Sequence, residues 1–464
     1  MSGLFQAIEL GKRALLTHQL TMQTIGHNIA NVNTPGYTRQ RTTITTTFPT
    51  NDANYSIGTG VTASDVRHIR DLFLGEQYRQ ENKALGQWSY KEKTLSQIEA
   101  LFAEPGDTTL SDRLNKFWQA WANVANHPDD SSVRAEILSQ ANLLVNGLHE
   151  MSEQLTSLQD AVDRDLVNIT QEVNRLTDEI ARINAKIKIN EVGGVHANDL
   201  RDTRDLLIDE LSTYVDVNSR ETGNGIMTVY MGALAIVDGD TAHHIEATTF
   251  NVDGVLKREL TWEGTEITLR NNNGQLKGLI DSRDVVIPNY LDKLDQLAAA
   301  IVENVNSIHR TGTNGNGETS VNFFDSRFTT AATIRINQSV VDDNSRIMSG
   351  TSGEAGDNRV ALAISDLLNV RVMSDGTASI NDFYNRMVGS LGVETYEAIS
   401  STSNYEVLTE QIVNARQSVE GVSLDEEMAN LVKYQHAYDA AARIITAMDE
   451  ALDTVVTGMG IVGR

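Results

Sequence analysis

The chain has no cysteine in its 464 residues, which removes disulfides, thiolate metal sites and cysteine nucleophiles together. Proline is nearly as scarce, at five residues, and Pro35, Pro105, Pro128 and Pro288 fall where helical patterns stop or start. No run of eighteen apolar residues exists, so no bilayer-spanning helix is encoded. Positive charge is in short supply: 38 Lys and Arg stand against 63 Asp and Glu, a net of −25. That balance argues against nucleic acid as the main partner, because phosphate binding needs a basic surface. A leader pattern is missing too, since Gln6, Glu9 and His18 interrupt any apolar core and the basic residues follow it; the expectation is a route without a cleaved leader. Catalytic signatures such as G-x-S-x-G, a P-loop or H-E-x-x-H do not occur. His243 and His244 are adjacent, and neighbours on a strand point to opposite faces, so they are poorly placed to share a metal. The loop Asn314-Gly315-Asn316-Gly317-Glu318 offers oxygens without EF-hand spacing. No catalytic, cofactor or metal site is expected.

What is present is helical periodicity. At 40% hydrophobic and 22% charged the composition is that of an ordinary folded chain, long enough for two to four domains. From residue 424 to 459, alternate steps of three and four visit Leu424, Met428, Leu431, Gln435, Tyr438, Ala442, Ile445, Asp449, Leu452, Val456 and Met459, a coiled-coil period. The other end has the same alternation at Leu4, Ile8, Gly11, Leu15, His18, Met22, Ile25 and Ile29. Residues 1–50 carry Lys12, Arg13, Arg39 and Arg41 against Glu9, whereas 424–464 carry seven acidic residues against Lys433, Arg443 and Arg464. Complementary stripes and charges imply that the two ends pair and that the rest is inserted between them. Neither stripe can be hidden by its own helix, so each needs a partner.

Between the ends, the first helix should stop at Asn31-Val32-Asn33-Thr34-Pro35-Gly36-Tyr37, a stretch dense in turn residues, and Thr42–Thr47 should be extended. Residues 72–101 read as helix, with a break at Glu104-Pro105-Gly106-Asp107. Leu110, Leu114, Phe117, Trp118 and Trp121 then form a bulky helix face, expected to be core packing. The longest element is a helix over 131–190, about 90 Å long, whose seam from Ala141 to Ile187 is apolar throughout. A short helix follows to Leu211, then β-prone runs within 212–280, the last of them at 267–269. Helix returns near 291–308; short strands and loops are expected over 334–373 with a helical piece at 358–368, and helix again over 380–421. The expected fold is mainly α with an inserted β domain: paired N- and C-terminal coiled-coil helices, a long helical-bundle stalk and a small all-β outer domain. The boundaries are 1–60 plus 422–464 for the terminal domain, 61–211 plus 281–421 for the stalk and 212–280 for the β domain.

The decad Asn28-Ile29-Ala30-Asn31-Val32-Asn33-Thr34-Pro35-Gly36-Tyr37 resembles the N-terminal signature of bacterial flagellar rod, hook and hook-associated proteins, and Gly3-Leu4-Phe5 fits it. The block from Val422 through Leu424, Met428, Leu431 and Gln435 to Tyr438 is similar to the closing helix of that family. Gly278–Asp284, Pro288-Asn289-Tyr290, Gly312–Gly317 and Phe323-Phe324, in this order, resemble the hook-associated members at the hook–filament junction. The resemblance implies a structural adaptor in the flagellum that is not an enzyme, with Asn28, Ala30, Asn31, Thr34, Pro35, Gly36 and Tyr37 as family motif. It implies Leu4, Ile8, Leu15, Met22, Ile25 and Ile29 as one assembly seam. Leu424, Met428, Leu431, Tyr438, Ile445, Leu452, Val456 and Met459 form the other, which doubles as the surface for an export chaperone. Implied partners are further copies of the chain, the hook protein, the second hook–filament junction protein and the flagellar type III export apparatus; the implied location is extracellular. A hook or distal rod protein shares both end motifs and is the nearest alternative. An acidic coiled-coil enzyme with a site in the β domain is the alternative from another class.

Overall fold

The computed structural model describes residues 2–52, 55–102, 109–223, 225–252, 255–265, 268 and 271–459. In chain order these form α1 (Ser2–Ala30), β1 (Gln40–Thr46), β2 (Thr50–Asp52), β3 (Tyr55–Ile57), β4 (Val61–His68), α2 (Leu72–Phe102), α3 (Leu110–Asn126), α4 (Ser131–Asn190) and α5 (Asn198–Tyr214). Six strands follow: β5 (Val217–Thr222), β6 (Ile226–Met231), β7 (Leu234–Asp238), β8 (Thr241–Ala242), β9 (Ile245–Val252) and β10 (Val255–Trp262). The chain closes with α6 (Gln275–Asp281), a π-turn (Ser282–Val286), α7 (Ile287–His309), α8 (Gln338–Asp342), α9 (Arg359–Ser365), α10 (Ile380–Glu420) and α11 (Leu424–Met459). The break expected at Glu104–Asp107 lies outside the described residues, as does most of the run at 267–269.

The strut is α4. Asp130 caps it by accepting from the Ser132 amide at 2.7 Å, and its seam from Ala141 to Ile187 is buried except for Leu158, which is half-buried. Against one end packs an aromatic cluster of Phe117, Trp118 and Trp121 from α3 with Phe323 and Phe324. Trp121 and Phe323 lie edge to face at 5.1 Å between centroids. His309 completes the cluster, 5.7 Å from Phe323. Its Nδ1 donates to the Val321 carbonyl at 2.8 Å, and its Nε2 accepts from the Met348 amide at 2.9 Å. This pair of bonds requires the neutral ring, and burial pushes its pKa down to about 4. Alongside, α10 and α2 run antiparallel, and a capping box of Ser379 and Asp382 starts α10.

Three expectations are corrected. The strands do not make a separate outer domain: Val229, Met231, Ile236, Val237 and Ile245 belong to the same continuous core as α4. The reason is polar as well as apolar. Asn184 of α4 donates to the Met227 and Gly239 carbonyls at 2.7 Å each and accepts from the Met227 amide, and Asn174 bridges the Ile245 backbone. Helix side chains thus satisfy strand backbone that would otherwise be stranded on burial. Secondly, β1 pairs antiparallel with β4, from Gln40 opposite His68 to Thr46 opposite Val61, so a boundary at 60 cuts a hairpin and belongs after His68. Thirdly, the short strands expected over 334–373 are, among the described residues, only isolated bridges such as Phe324 with Ile336, and α8 stands among them, whereas the helical piece expected at 358–368 is present as α9 and the 3-10 turn Asp366–Leu368.

Candidate assembly site at the paired termini

α1 and α11 lie side by side and antiparallel. Gly11 faces Ile445, where an added Cβ would stand 2.7 Å from Ile445 Cγ1, so the absence of a side chain on α1 makes room for one from α11. Nearer the body, His18 and Tyr434 stack obliquely at 5.9 Å. Ile25 and Ala441 are buried, yet neither joins the continuous core of the body. Ile8, Leu15, Met22 and Ile29 are half-buried along the same face, as are Leu431, Tyr438, Ile445 and Leu452. The side chains of Leu4 and Met459 lie outside the described residues.

Three other residues of the expected α11 stripe turn away. Leu424 is 47%, Met428 52% and Val456 66% exposed. In their place Glu427, Tyr434 and Ala441, spaced by sevens and one residue earlier, meet Asn28, His18 and Gly11 of α1, and Met448 and Val455 continue that spacing half-buried. A polar lock sets this register. Glu427, 1% exposed, accepts from Asn28 Nδ2 at 3.0 Å and pairs with Arg39 at 2.7 Å. Arg39 also forks onto Glu426 at 3.0 Å, which holds the Glu426 carboxyl below its ordinary value and the guanidinium above its own.

Asn28 is the hub of the family motif. Its Oδ1 accepts from the Gln40 amide at 2.9 Å and the Tyr37 hydroxyl at 2.8 Å, while Nδ2 also donates to the Gln40 carbonyl at 2.9 Å. A buried amide with all its capacity used is fixed in orientation. Between Asn28 and Gln40 the chain turns: Asn31 Oδ1 accepts from Thr34 Oγ1 at 3.1 Å, and its Nδ2 donates back to the His27 carbonyl at 3.0 Å. Gly36 has φ +73° and packs against Leu206, where a Cβ would come within 3.1 Å of that side chain. Ala30, Thr34, Pro35 and Gly36 are exposed, Asn31 and Tyr37 half-buried. Burial, with the charges of Asp199, Asp202 and Glu427, pushes the Tyr37 phenol up and keeps it a donor.

Residues the sequence reading passed over tie this motif to the body. Asp202 of α5 accepts from the Thr38 amide at 2.9 Å, the Thr38 hydroxyl at 2.7 Å and the His68 ring at 2.7 Å. Asp209 takes Arg79 of α2 at 2.7 Å and Arg416 of α10 at 2.8 Å. Glu420 accepts from the Asp71 amide at 2.9 Å, and its carbonyl takes the Arg39 amide at 2.8 Å. A signal for this set was present: Asp199, Asp202, Asp205 and Asp209 recur at helical spacing on α5. Elsewhere, His243 lies against Trp262 at 5.3 Å, and His244 sits between Asp178 at 2.9 Å and Glu263 at 3.3 Å. Asn314 Oδ1 accepts from the Asn316 and Glu318 amides, an ordinary turn. Among the described residues no cluster of His, Asp or Glu is arranged to hold a metal, and no helix is long and apolar enough to cross a membrane.

Comparison with known proteins agrees with this architecture. Residues 95–324 match the family model for the flagellar hook-associated protein FlgK helical domain. Residues 8–38 match the flagella basal body rod protein model, and 415–458 the flagellar basal body rod FlgEFG protein C-terminal model. Flagellar hook-associated protein 1 of Bacillus subtilis (strain 168) is 32% identical, with all of both chains aligned. Its Escherichia coli (strain K12) counterpart is 23% identical over 94% of this chain and 97% of its own. The flagellar hook junction protein FlgK from Burkholderia pseudomallei superposes with a TM-score of 0.64 at 15% identity, covering 74% of this chain and 100% of that one. With helical body, rod-type ends and full-length identity all in agreement, this chain belongs to the flagellar hook-associated protein 1 family, structural proteins of the hook–filament junction of the bacterial flagellum.

Proposed function

We propose that this chain joins hook to filament by stacking its terminal helices, as a coiled-coil pair, against those of neighbouring copies to continue the axial tube. The observation that carries this reading is the unfinished state of that pair. Phe5, Leu16 and Leu20 on α1 and Leu424, Met428, Val432, Ile444 and Val456 on α11 are exposed, although the body beside them has a complete core. At about 25 cal/mol per Å² of apolar surface removed from water, covering such faces drives association. Hook protein on one side and the second hook–filament junction protein on the other are the neighbours proposed, and the role is structural and non-catalytic. The exposed α11 residues Leu424, Met428 and Val456 are proposed to be held by an export chaperone until the chain passes the type III apparatus to the cell exterior. As organisation we propose a terminal unit of α1, the β1–β4 hairpin and α11 on a helical body that includes the strands. A variant lacking 424–464 is expected to keep the thermal unfolding of the body while cells build hooks and release filament subunits into the medium. Normal filaments on cells carrying only that variant would refute the reading.

A further inference from the structure

Three long helices of the body leave their regular geometry at one level. α6 and α7 form one rod from Gln275 to His309, interrupted by the π-turn Ser282–Val286. Pro288 accounts for the interruption. In an unbroken α-helix its ring would press on the Asp284 carbonyl four residues back, and it has no N–H to offer that carbonyl. The rod opens by one residue instead, so that the Ile287 amide donates to the Ser282 carbonyl, five residues back. The Arg283 carbonyl is then served by neither pattern, because Ile287 is taken and Pro288 has no N–H. Gln159 of α4 donates to it at 2.9 Å, and Asp163 of α4 takes the Arg283 guanidinium at 2.8 Å. Ser282 beside it is fully buried, and its hydroxyl has no partner among the described residues.

At the same height α4 loses its period. Its seam alternates steps of three and four from Ala141 to Ile187, except at Leu158, Val162 and Leu166, where two fours in succession make a stutter that unwinds the supercoil. The third helix is α10. Tyr290, two residues past Pro288, stands beside Ser390 and Glu394 of α10, and Gly389 and Gly392 lie among these residues inside the helix. A Cβ at either glycine would meet nothing within 4 Å. Packing therefore requires neither, and each weakens the helix about two- to fivefold relative to alanine. Away from this level the packing is close. Gly278 lets α6 lie on the backbone of α2, where a Cβ would stand 2.3 Å from the Gln87 carbonyl oxygen, and the far half holds the aromatic cluster of Phe117, Trp121 and Phe323. We infer that the stutter, the π-turn and the two glycines form a hinge, about which the half of the body that carries the terminal helices tilts against the half that holds the aromatic cluster. Gln159 and Asp163 are its pivot, because they keep the two irregular helices together while the turns around them open. The inference concerns the body alone and does not depend on how the termini assemble.

Residue-resolved amide exchange of the full chain, free in solution, tests the hinge. Amides 159–166, 283–290 and 389–396 are expected to exchange about tenfold faster than amides 137–151 of α4 and 294–305 of α7. Gly389→Ala combined with Gly392→Ala fits the open space at both positions, and it should slow all three stretches by about tenfold, including the two that it does not touch. Slowing confined to α10 would show that the helices open independently, and it overturns the hinge. Exchange at 159–166 and 283–290 no faster than at 137–151 and 294–305 overturns it as well. Either result leaves the terminal-helix reading standing, because that reading is judged from cells whose chain lacks 424–464.

Discussion

Arg39→Ala is expected to release α11 from the body at a cost of about 3 kcal/mol, the size found when one partner of a buried ion pair is removed. Glu427 is 1% exposed and would keep only Asn28 as a partner, so its charge could be neither solvated nor balanced. The effect should be local, because the continuous core contains no residue of α1 or α11. Limited trypsin cleavage after Lys433 and Arg443, both exposed on α11, should accelerate about a hundredfold, at 1.4 kcal/mol per tenfold of opening. Arg39→Met combined with Glu427→Leu removes both charges and should recover most of the protection. Equal cleavage of Arg39→Ala and the unsubstituted chain would show that the lock does not hold the helix.

Acid should loosen the opposite end of the body through His309. The folded ring is held neutral with a pKa of about 4, against an ordinary value near 6.5 in the unfolded chain. Between those values the unfolded state binds the extra proton, so this contribution is complete above pH 6.5 and lost as pH falls through 4. The drop corresponds to about 3 kcal/mol. His309→Gln has no proton to take up, so the stability gap between it and the unsubstituted chain should narrow by that amount from pH 7 to pH 4 in urea unfolding. A gap that stays constant would place the titration elsewhere.

How far the sequence spoke depended on how local the determining interactions were. The bounds of α4 were legible because an unbroken apolar seam and an acidic cap after Pro128 need no distant partner. The aromatic face of α3 was legible as core for the same reason. Part of the α11 stripe, Leu424, Met428 and Val456, was displaced because its period was counted from apolar Leu424, whereas the helix turns inward on Glu427, whose partners Asn28 and Arg39 lie almost four hundred residues away. A buried carboxylate cannot be told from a solvated one by spacing alone. The strand β4, Val-Thr-Ala-Ser-Asp-Val-Arg-His, has little apolar alternation and is held by its ladder to β1, so it was missed and the boundary at 60 with it. The β region was taken for a domain because turns punctuate it; Asn174 and Asn184 of α4, which satisfy its backbone, each follow an apolar seam residue, Val173 and Ile183, and spacing alone assigns them to a solvated flank.

Amide exchange on the isolated chain and on the same chain within assembled flagella tests most directly whether the terminal pair is completed by its neighbours. In the isolated chain α1 and α11 should exchange far faster than α4, most of all beyond Ile445, and in flagella both should slow to the level of α4. Protection of α1 and α11 equal to that of α4 before assembly would contradict it.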